Sequence, residues 1–477
     1  MPDIRYVCFS DMHFGAGNSI LTNLLEGSID TDPTKPSPVL IQLVACLRDL
    51  IARNETKVPP SLVLNGDILE LALATDNKAA MAFQRFIELI MPENGEPIFD
   101  KTIYYIPGNH DHHLWETARE TQYAEFISKK KPADVLPEPW HTTRLFNPTL
   151  LPPTFMSGII GMYPRLKQSG VTVTTVYPNF GLLKDGKKCV VFTHGHFSES
   201  IYMLMTELMS MFFPKREQPT LIWDIEAENF AWIDFFWSTM GRSGAAGSDV
   251  EVIYDKLADE TQIQGLVESF LESVLARRHK HHLFDHLEAE KLASILSLFL
   301  KNVAASERGD TGGVLTPEGR AGLQSYVGGP LTLQILLENN QTMPEELTVV
   351  FGHTHKPFEE DSHFGSAPYW TSVYNSGGWV VDTPTPAPIS GGAAILLDED
   401  LNTASLRMYN QSSNANDYKV SVQAAHHDGS PENPLLHRLS SIIDPSQDPW
   451  KTFSETVAGM IPIYCKSIQT HINSRAS

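Results

Sequence analysis

Histidine, aspartate and asparagine residues recur in short groups, each directly after an apolar run of the sequence. Nine such residues stand in five groups: Asp11, His13, Asp67, Asn109, His110, His194, His196, His353 and His355. Imidazole nitrogens, carboxylates and one amide oxygen together are a ligand set for divalent Mn, Fe, Zn or Co. The absence of cysteine among them argues against a structural thiolate zinc site. Seven or eight such ligands, with one carboxylate able to bridge, indicate two metal ions about 3.5–4 Å apart.

The apolar runs before these residues predict the strands that must position them. They are rich in Val, Ile, Phe and Tyr and lack polar alternation, which is typical of strands buried on both faces of a sheet. The segments that contain a run and its polar group are 6–13, 62–67, 103–111, 189–196 and 348–355. Helix-compatible segments such as Leu40–Arg53 and Ala79–Met91 lie between them, which is the order of an α/β fold. In such folds ligands bind outside the carboxyl ends of the strands.

A second sheet is predicted from a change of pattern further along the chain. Val171–Tyr177 alternates as a half-buried strand should, and Lys184–Lys187 reads as a hairpin turn. Short strands with Gly and Pro between them continue after His355. The pattern indicates a mixed or antiparallel sheet packed on the first.

The five groups resemble the ordered signature of the calcineurin-like metallophosphoesterases. The matching motifs are Asp11-Met-His13, Gly66-Asp67, Gly108-Asn-His-Asp111, His194-Gly-His196 and Gly352-His-Thr-His355, followed by Asn375-Ser-Gly-Gly-Trp379. The resemblance covers about residues 4–196 and 348–409. It implies a four-layer α/β/β/α sandwich that hydrolyses a phosphomonoester or phosphodiester with two divalent metal ions, among which Mn is favoured over Fe and Zn.

The resemblance also implies a role for each matching residue. One ion would be held by Asp11, His13 and His355, and the other by Asn109, His194 and His353. Asp67 would bridge the two ions, which would share a hydroxide for attack on phosphorus. His110 would protonate the leaving oxygen or stabilise the charge of the transition state.

Four residues within these motifs or directly after them have more than one possible role. Asp111 would either orient His110 and raise its pKa or only cap the following helix. His196 would support a metal ligand or face the substrate. His112 and His113 would line the substrate site or be solvated loop residues.

The chain divides into a core and two additions. Residues 1–196 and 347–410 would form the core, 197–346 a mostly helical insertion that acts as a cap, and 411–477 a C-terminal extension. We expect the extension to be polar and loop-like, with one helix near Trp450–His471. Because the insertion leaves and re-enters the core at strand ends that carry metal ligands, we expect it to control substrate choice rather than chemistry.

The first part of the insertion is unusually rich in Met and aromatic residues. They are Met203, Met205, Met209, Met211, Phe212, Phe213, Trp223, Phe230, Trp232, Phe235, Phe236 and Trp237. They would form the insertion's own core, a homodimer interface, or an apolar wall for a lipid chain or nucleobase. Helical periodicity continues over Val250–Val303, and the basic cluster Arg277–His282 is expected on a solvated helix face.

Composition narrows the classes of function. The 36 Lys and Arg residues against 57 Asp and Glu give a formal charge of −21, which disfavours stable nucleic-acid binding and hence a nuclease. A small nucleotide, sugar-phosphate or lipid-phosphate substrate is favoured, and the alternative from another class is a non-catalytic metal-binding scaffold of the same fold. Four scattered cysteines and no apolar run of about 20 residues predict a cytoplasmic protein without a transmembrane span.

Overall fold

The computed structural model describes residues 2–28, 30–148, 155–239, 312–364 and 370–475, which form a mixed α/β fold. Its strands are β1 (Ile4–Phe9), β2 (Thr22–Leu24), β3 (Thr31–Pro36), β4 (Ser61–Asn65), β5 (Thr102–Ile106), β6 (Thr172–Thr175), β7 (Asn179–Lys184), β8 (Lys188–Thr193), β9 (Glu346–Phe351), β10 (Phe358–Ser362), β11 (Thr371–Asn375), β12 (Gly391–Asp398), β13 (Thr403–Asn410) and β14 (Ser421–Gln423).

The helices lie mainly between the strands and in the insertion. They are α1 (Pro38–Ala52), α2 (Asp76–Ile90), α3 (His113–Ser128), α4 (Phe155–Gly161), α5 (Pro164–Ser169), α6 (Leu204–Phe212), α7 (Ile222–Trp232), α8 (Pro317–Tyr326), α9 (Thr332–Glu338), α10 (Pro434–Ile442) and α11 (Trp450–Arg475). The Val250–Val303 periodicity and the Arg277–His282 cluster lie outside the described residues.

The strands form two large sheets and one small one. Seven strands have the order β14-β13-β12-β1-β4-β5-β6, five have the order β10-β11-β9-β8-β7, and β2 pairs with β3. In the larger sheet β1, β4, β5 and β6 are parallel, and in the smaller β8, β9 and β11 are parallel. The five predicted strands before the polar groups are confirmed as β1, β4, β5, β8 and β9.

The later strands differ in part from the sequence-based expectation. β7 and β8 form the predicted hairpin, whose turn places Asp185 and Gly186 in left-handed conformations. The predicted strand at Val171–Tyr177 is present as β6, but β6, β12 and β13 belong to the larger sheet and not to the second one, because β6 pairs with β5 and β12 pairs with β1. Alternation along a strand reports which face is buried, but it does not report which sheet the strand joins.

Three buried clusters account for the packing of the layers. Between the sheets, residues such as Cys8, Val63, Phe192 and Val350 form one core. A second cluster joins the outer face of the larger sheet to α1, α2 and α11. The third joins the outer face of the smaller sheet to α7, α8 and the segments around them.

The helices on the larger sheet follow from local sequence signals. Ser37 caps α1 by accepting the N–H of Leu40, and Pro38 occupies the first turn, where its missing N–H costs nothing. The apolar positions of α2, including Phe83, Phe86 and Ile90, recur at helical spacing and are buried. The predicted helices near Leu40–Arg53 and Ala79–Met91 are therefore confirmed.

The C-terminal part is more ordered than its polar composition suggests. The predicted helix is present as α11, and its Trp450, Phe453 and Tyr464 are buried in the cluster on the larger sheet. The expectation of a loop-like tail is wrong for two further elements, because β14 extends the larger sheet and α10 packs its Leu435 and Leu439 into the same cluster. Among the described residues no helix combines the length and the hydropathy needed to cross a membrane.

Candidate metal centre

Five of the predicted metal ligands have left-handed backbone conformations just after strands. The φ angle is 50° at Asp11 and 45° at His13 after β1, 51° at Asp67 after β4, and 69° and 59° at His353 and His355 after β9. Such angles are rare for residues other than glycine and cost free energy, so the surrounding structure must hold them in place. Strain of this kind clusters at functional sites, and here it occurs at three strand ends.

Glycines in the motifs let the ends of the two sheets approach each other. A Cβ atom at Gly66, after β4, would overlap the imidazole of His194, which follows β8 in the other sheet. A Cβ atom at Gly352 would likewise overlap the carboxylate of Asp11. The glycine of each motif is therefore a steric requirement for bringing ligands from both sheets together.

Asp11, His13 and His355 form one group of side chains that could hold a metal ion. Nε2 of His13 lies 3.3 Å from Nε2 of His355, which in turn lies 3.4 Å from Oδ1 of Asp11. All three residues are buried. Two imidazole nitrogens and a carboxylate oxygen thus converge on one point.

Asp67, His194 and His353 form a second such group. Nε2 of His194 lies 3.4 Å from Oδ2 of Asp67 and 3.2 Å from Nδ1 of His353. Asn109 joins the group, since its Oδ1 lies 3.0 Å from the same Nε2 of His194. The structure therefore brings together all seven residues that the sequence predicts as ligands.

One oxygen of Asp67 faces both groups. Its Oδ2 lies 3.7 Å from Nε2 of His13 and 3.4 Å from Nε2 of His194. The carboxylate of Asp67 also accepts the backbone N–H of His110 through Oδ1 at 2.8 Å, which fixes its orientation. This position between the groups suits a carboxylate that bridges two cations.

The four histidines direct one nitrogen inward and the other at an oxygen atom. The outer contacts are Nδ1 of His13 with Glu70 at 2.9 Å, Nδ1 of His355 with Asp382 at 2.7 Å, Nε2 of His353 with Glu199 at 2.6 Å, and Nδ1 of His194 with the Asn65 carbonyl at 3.3 Å. At His13, His194 and His355 such an outer acceptor can hold the ring proton and leave the inner nitrogen with a lone pair, as in metal-ligating histidines. Nε2 of His353, in contrast, lies near Glu199 without the geometry of a hydrogen bond. The donor set therefore fits divalent metal ions.

The electrostatics of the site favour positive charge. Burial alone would raise the pKa of Asp11, but its hydrogen bond with His355 and the nearby His194 lower it to about 2. Burial would lower the pKa of His194, but the charge of Asp67 and its hydrogen bond raise it to about 9. The field that favours a proton at this point would also favour a metal cation.

His110 is held by Glu70, a residue that sequence reasoning missed. Oε1 of Glu70 lies 2.9 Å from Nδ1 of His110, and Oε2 lies 2.9 Å from Nδ1 of His13. Burial opposes ionisation of Glu70, but the adjacent histidines hold its pKa well below the usual range. In the sequence, the one feature that could have indicated Glu70 is that it is an acidic residue three positions after Asp67.

Asp111 has neither of the roles expected from the sequence. Its carboxylate accepts backbone N–H groups of Gly108, Asp67, Ile68 and Leu69, at distances from 2.6 to 3.3 Å. Asp111 therefore fixes the loop after β4 against the loop after β5, while Glu70 orients His110. Burial and the charge of Asp67 raise the pKa of Asp111 to about 6.

His196 and His112 contact the insertion through a buried polar network. Tyr177 OH lies 3.3 Å from Nε2 of His196 and donates to Oε2 of Glu226 at 3.0 Å. Oε1 of Glu226 lies 3.0 Å from Nε2 of His112. His112 is thus a buried, hydrogen-bonded residue, which excludes the solvated-loop alternative for it.

The histidines after the Gly-Asn-His-Asp motif are matched by acidic residues of the insertion. Burial opposes a charge on His112, but Glu226 and Asp234 raise its pKa to about 9. Asp234 also lies 3.1 Å from Nδ1 of the half-buried His113. Sequence spacing could not indicate these contacts, because more than 100 residues separate the partners.

A cavity of about 850 Å³ lies between the two described parts of the insertion. Its wall includes Phe197, Glu199, Met203, Glu207, Ile225, Glu318, Tyr326 and Leu333. Glu199 also contacts His353, so the cavity adjoins the candidate metal centre at this side chain.

The Met- and aromatic-rich segment packs partly within the insertion. Met203, Trp232 and Trp237 pack against the cluster on the smaller sheet, whereas Phe213 and Phe235 are exposed. Met203 also lines the cavity, so the segment contributes both to packing and to the cavity wall.

No protein-family model matches this chain, and a search of curated proteins also finds no match. The structure by itself shows a mixed α/β fold with buried His, Asp and Glu groups that could hold metal ions.

Proposed function

We propose that the protein is a dinuclear metal-dependent phosphoesterase of the calcineurin-like type. The observation that carries the proposal is the position of Asp67 Oδ2 between two groups of inward-facing histidine nitrogens. Two groups that share one carboxylate oxygen suit a pair of divalent ions better than one isolated ion. The ligand types permit Mn, Fe or Zn, and we favour Mn.

The packing of the layers supports the same proposal. The two sheets share one buried core, and each outer face is covered by helices. This arrangement agrees with a four-layer α/β/β/α metallophosphoesterase sandwich. The ligands come from the ends of β1, β4, β5, β8 and β9, which belong to both sheets.

His110 is the residue we propose for the leaving group. When bound, the metal ions would polarise the phosphoryl oxygens and make water a stronger nucleophile. Because Glu70 holds Nδ1 of His110, Nε2 is the nitrogen that would present a proton to the leaving oxygen or bind the charge of the transition state. Glu70 keeps this ring oriented and at the same time supports His13.

The substrate we favour is a small phosphoester. Acidic side chains line the cavity beside Glu199, and among its described lining residues none is Lys or Arg. Together with the charge of −21, this wall disfavours a long nucleic-acid backbone. A small nucleotide, sugar phosphate or lipid phosphate needs only a local site for one phosphoryl group.

A substrate panel tests the proposal. The 477-residue chain loaded with Mn²⁺ would be assayed on p-nitrophenyl phosphate, bis-p-nitrophenyl phosphate, nucleotides, sugar phosphates, lipid phosphates and single-stranded DNA, with metal content measured in parallel. We expect turnover of a small ester that requires two equivalents of metal and is lost with a chelator. Protein that holds two ions but cleaves no ester would contradict the proposal and favour the scaffold alternative, and preferred cleavage of DNA would favour the nuclease.

A further inference from the structure

Glu226 is a completely buried carboxylate that the insertion places against the core. It lies on α7, and both of its oxygen atoms contact core side chains. Oε1 is 3.0 Å from Nε2 of His112, and Oε2 accepts a hydrogen bond of 3.0 Å from Tyr177 OH. A buried carboxylate is costly unless it is paired and hydrogen-bonded, and these two contacts supply both conditions.

Each contact leads to a loop that carries a predicted metal ligand. His112 is three residues after Asn109, in the turn that begins α3. Tyr177 lies 3.3 Å from Nε2 of His196, two residues after His194. Glu226 thus connects the Asn109 loop to the His194 loop.

The packing around Tyr177 makes this connection rigid. The ring of Tyr177 stacks on Trp115 of α3 with centroids 5.1 Å apart and an interplanar angle of 19°. Both aromatic residues are fully buried. Because the Tyr177 ring is confined in this way, its hydroxyl group occupies a fixed place between Glu226 and His196.

We propose that Glu226 is a positioning residue for the second metal group, formed by Asp67, Asn109, His194 and His353. It sets the distance between Asn109 and His194, whose ligand atoms are 3.0 Å apart. The insertion therefore takes part in metal binding and does more than cover the site. The effect on metal affinity stands apart from the proposed reaction, whereas the effect on turnover rests on the phosphoesterase function.

The substitution Glu226→Gln tests this role with little change of shape. An amide removes the negative charge that faces His112 and turns an NH₂ group towards either His112 or Tyr177, so one of the two contacts cannot keep its present donor and acceptor. Tyr177→Phe is a second variant that keeps the stacking on Trp115 and the Glu226–His112 contact. It removes the hydrogen bond that Tyr177 donates to Glu226 and, with it, the link to His196.

Glu228→Gln is the matched control, because Glu228 lies two residues along the same helix. Its carboxylate accepts a hydrogen bond from Thr206 and pairs with Arg216, and all three residues belong to the insertion. The control makes the same chemical change without altering a contact to the core. Thermal unfolding of each variant would show whether the insertion is loosened in general.

The first readout is Mn²⁺ binding, which is measured by calorimetry and by the electron paramagnetic resonance signal of the coupled ion pair. The second readout is the turnover of a small chromogenic ester. Supporting residues of metal ligands typically contribute about 10–100-fold to affinity or activity. We expect Glu226→Gln and Tyr177→Phe to weaken one Mn²⁺ site by about that factor. The coupled signal should be lost at Mn²⁺ concentrations that saturate the wild type. kcat should fall with little change in KM, and Glu228→Gln should behave as the wild type.

Two results would overturn the proposal. One is wild-type affinity at both metal sites in folded Glu226→Gln and Tyr177→Phe proteins. The other is a loss of Mn²⁺ affinity that affects both metal sites and is equally large in the Glu226→Gln and Glu228→Gln proteins. Such a loss would indicate general loosening of the fold. Absence of turnover in the metal-loaded wild type would instead count against the phosphoesterase function, and Mn²⁺ binding would still decide the role of Glu226.

Discussion

Oε1 of Glu70 lies 2.9 Å from Nδ1 of His110, so the candidate acid is oriented by the residue that also supports a predicted metal ligand. The second oxygen of Glu70 contacts His13 on the other side. In the proposed reaction, metal binding and proton transfer would therefore be coupled through one buried side chain.

Glu70→Gln should lower both turnover and metal affinity. The amide can accept from only one of the two imidazoles, so either His110 or His13 loses its oriented ring. We expect kcat to fall by about 10–100-fold and the metal content after dialysis to decrease. Steady-state kinetics and metal analysis measure the two effects, with the exposed Glu120→Gln as control. Full activity in Glu70→Gln would show that the two contacts are unimportant.

His110→Ala should separate chemistry from metal binding. We expect both ions to remain bound and turnover to fall by about 10²–10⁴-fold if His110 is the general acid. The loss should be smaller for an ester with a good leaving group, which needs no proton. A series of phenyl phosphates with different leaving-group pKa values measures this, with the exposed His437→Ala as control. Loss of metal in His110→Ala would contradict the assignment.

Asp67→Asn should lower the metal content and the rate together. The neutral amide offers one oxygen and no charge, so two cations at the groups on either side would repel each other more strongly. Metal titration should show that binding of the second ion is weakened. An unchanged stoichiometry of two ions with wild-type affinity would exclude a bridging role for Asp67.

Asp3 and Arg438 form a buried ion pair that should make stability depend on pH. Arg438 Nη1 lies 3.0 Å from Oδ1 of Asp3, which also accepts the N–H of Glu55, and Oδ2 of Asp3 accepts the N–H of Thr56. Burial raises the pKa of Asp3, but the hydrogen bonds of Thr56 and Arg438 hold it below its usual range. The stabilisation is complete above the unfolded pKa of about 3.9 and decreases as the pH falls towards the folded value.

Asp3→Asn should therefore reduce the free energy of unfolding at pH 7 by about 3 kcal/mol, since it leaves Arg438 buried without its counter-charge. The difference from the wild type should become smaller below about pH 4. Urea unfolding at several pH values measures both effects. A difference that is independent of pH would show that the charge of Asp3 does not contribute.

Replacement of residues 197–346 by a short Gly/Ser linker tests the sequence-based expectation that the insertion governs substrate choice alone. Glu199, Glu226 and Asp234 of the insertion contact core histidines, which is the reason to ask whether the insertion also supports the metal ligands. We expect a folded deletion protein to bind at least one metal ion more weakly, by about 10-fold or more. A deletion protein that retains both ions and still hydrolyses the small ester would contradict this prediction. It would support the expectation that the insertion governs substrate choice alone.

The candidate metal ligands could be predicted from the sequence because each group directly follows a buried strand. Apolar runs predict such strands, and strand ends from both sheets meet at one place. Glu70 was missed because it lies in a loop, where no periodicity marks a functional residue. Glu226 was missed because its partners are distant in sequence, and the return of β12 to the larger sheet depends on packing rather than on alternation.

The first metal group joins the beginning of the chain to its last third. His13 and His355 are 342 residues apart, and β1 pairs with β12 near residue 395. At about 5–20 residues per second, roughly 20–70 s separate the synthesis of the two histidines. A growing chain therefore has Asp11 and His13 long before it has their third partner, and a complete first metal site arises only after translation has passed His355. In the proposed dinuclear site, the choice of metal would consequently be made only after the growing chain has passed His355, from whatever ions its surroundings then supply.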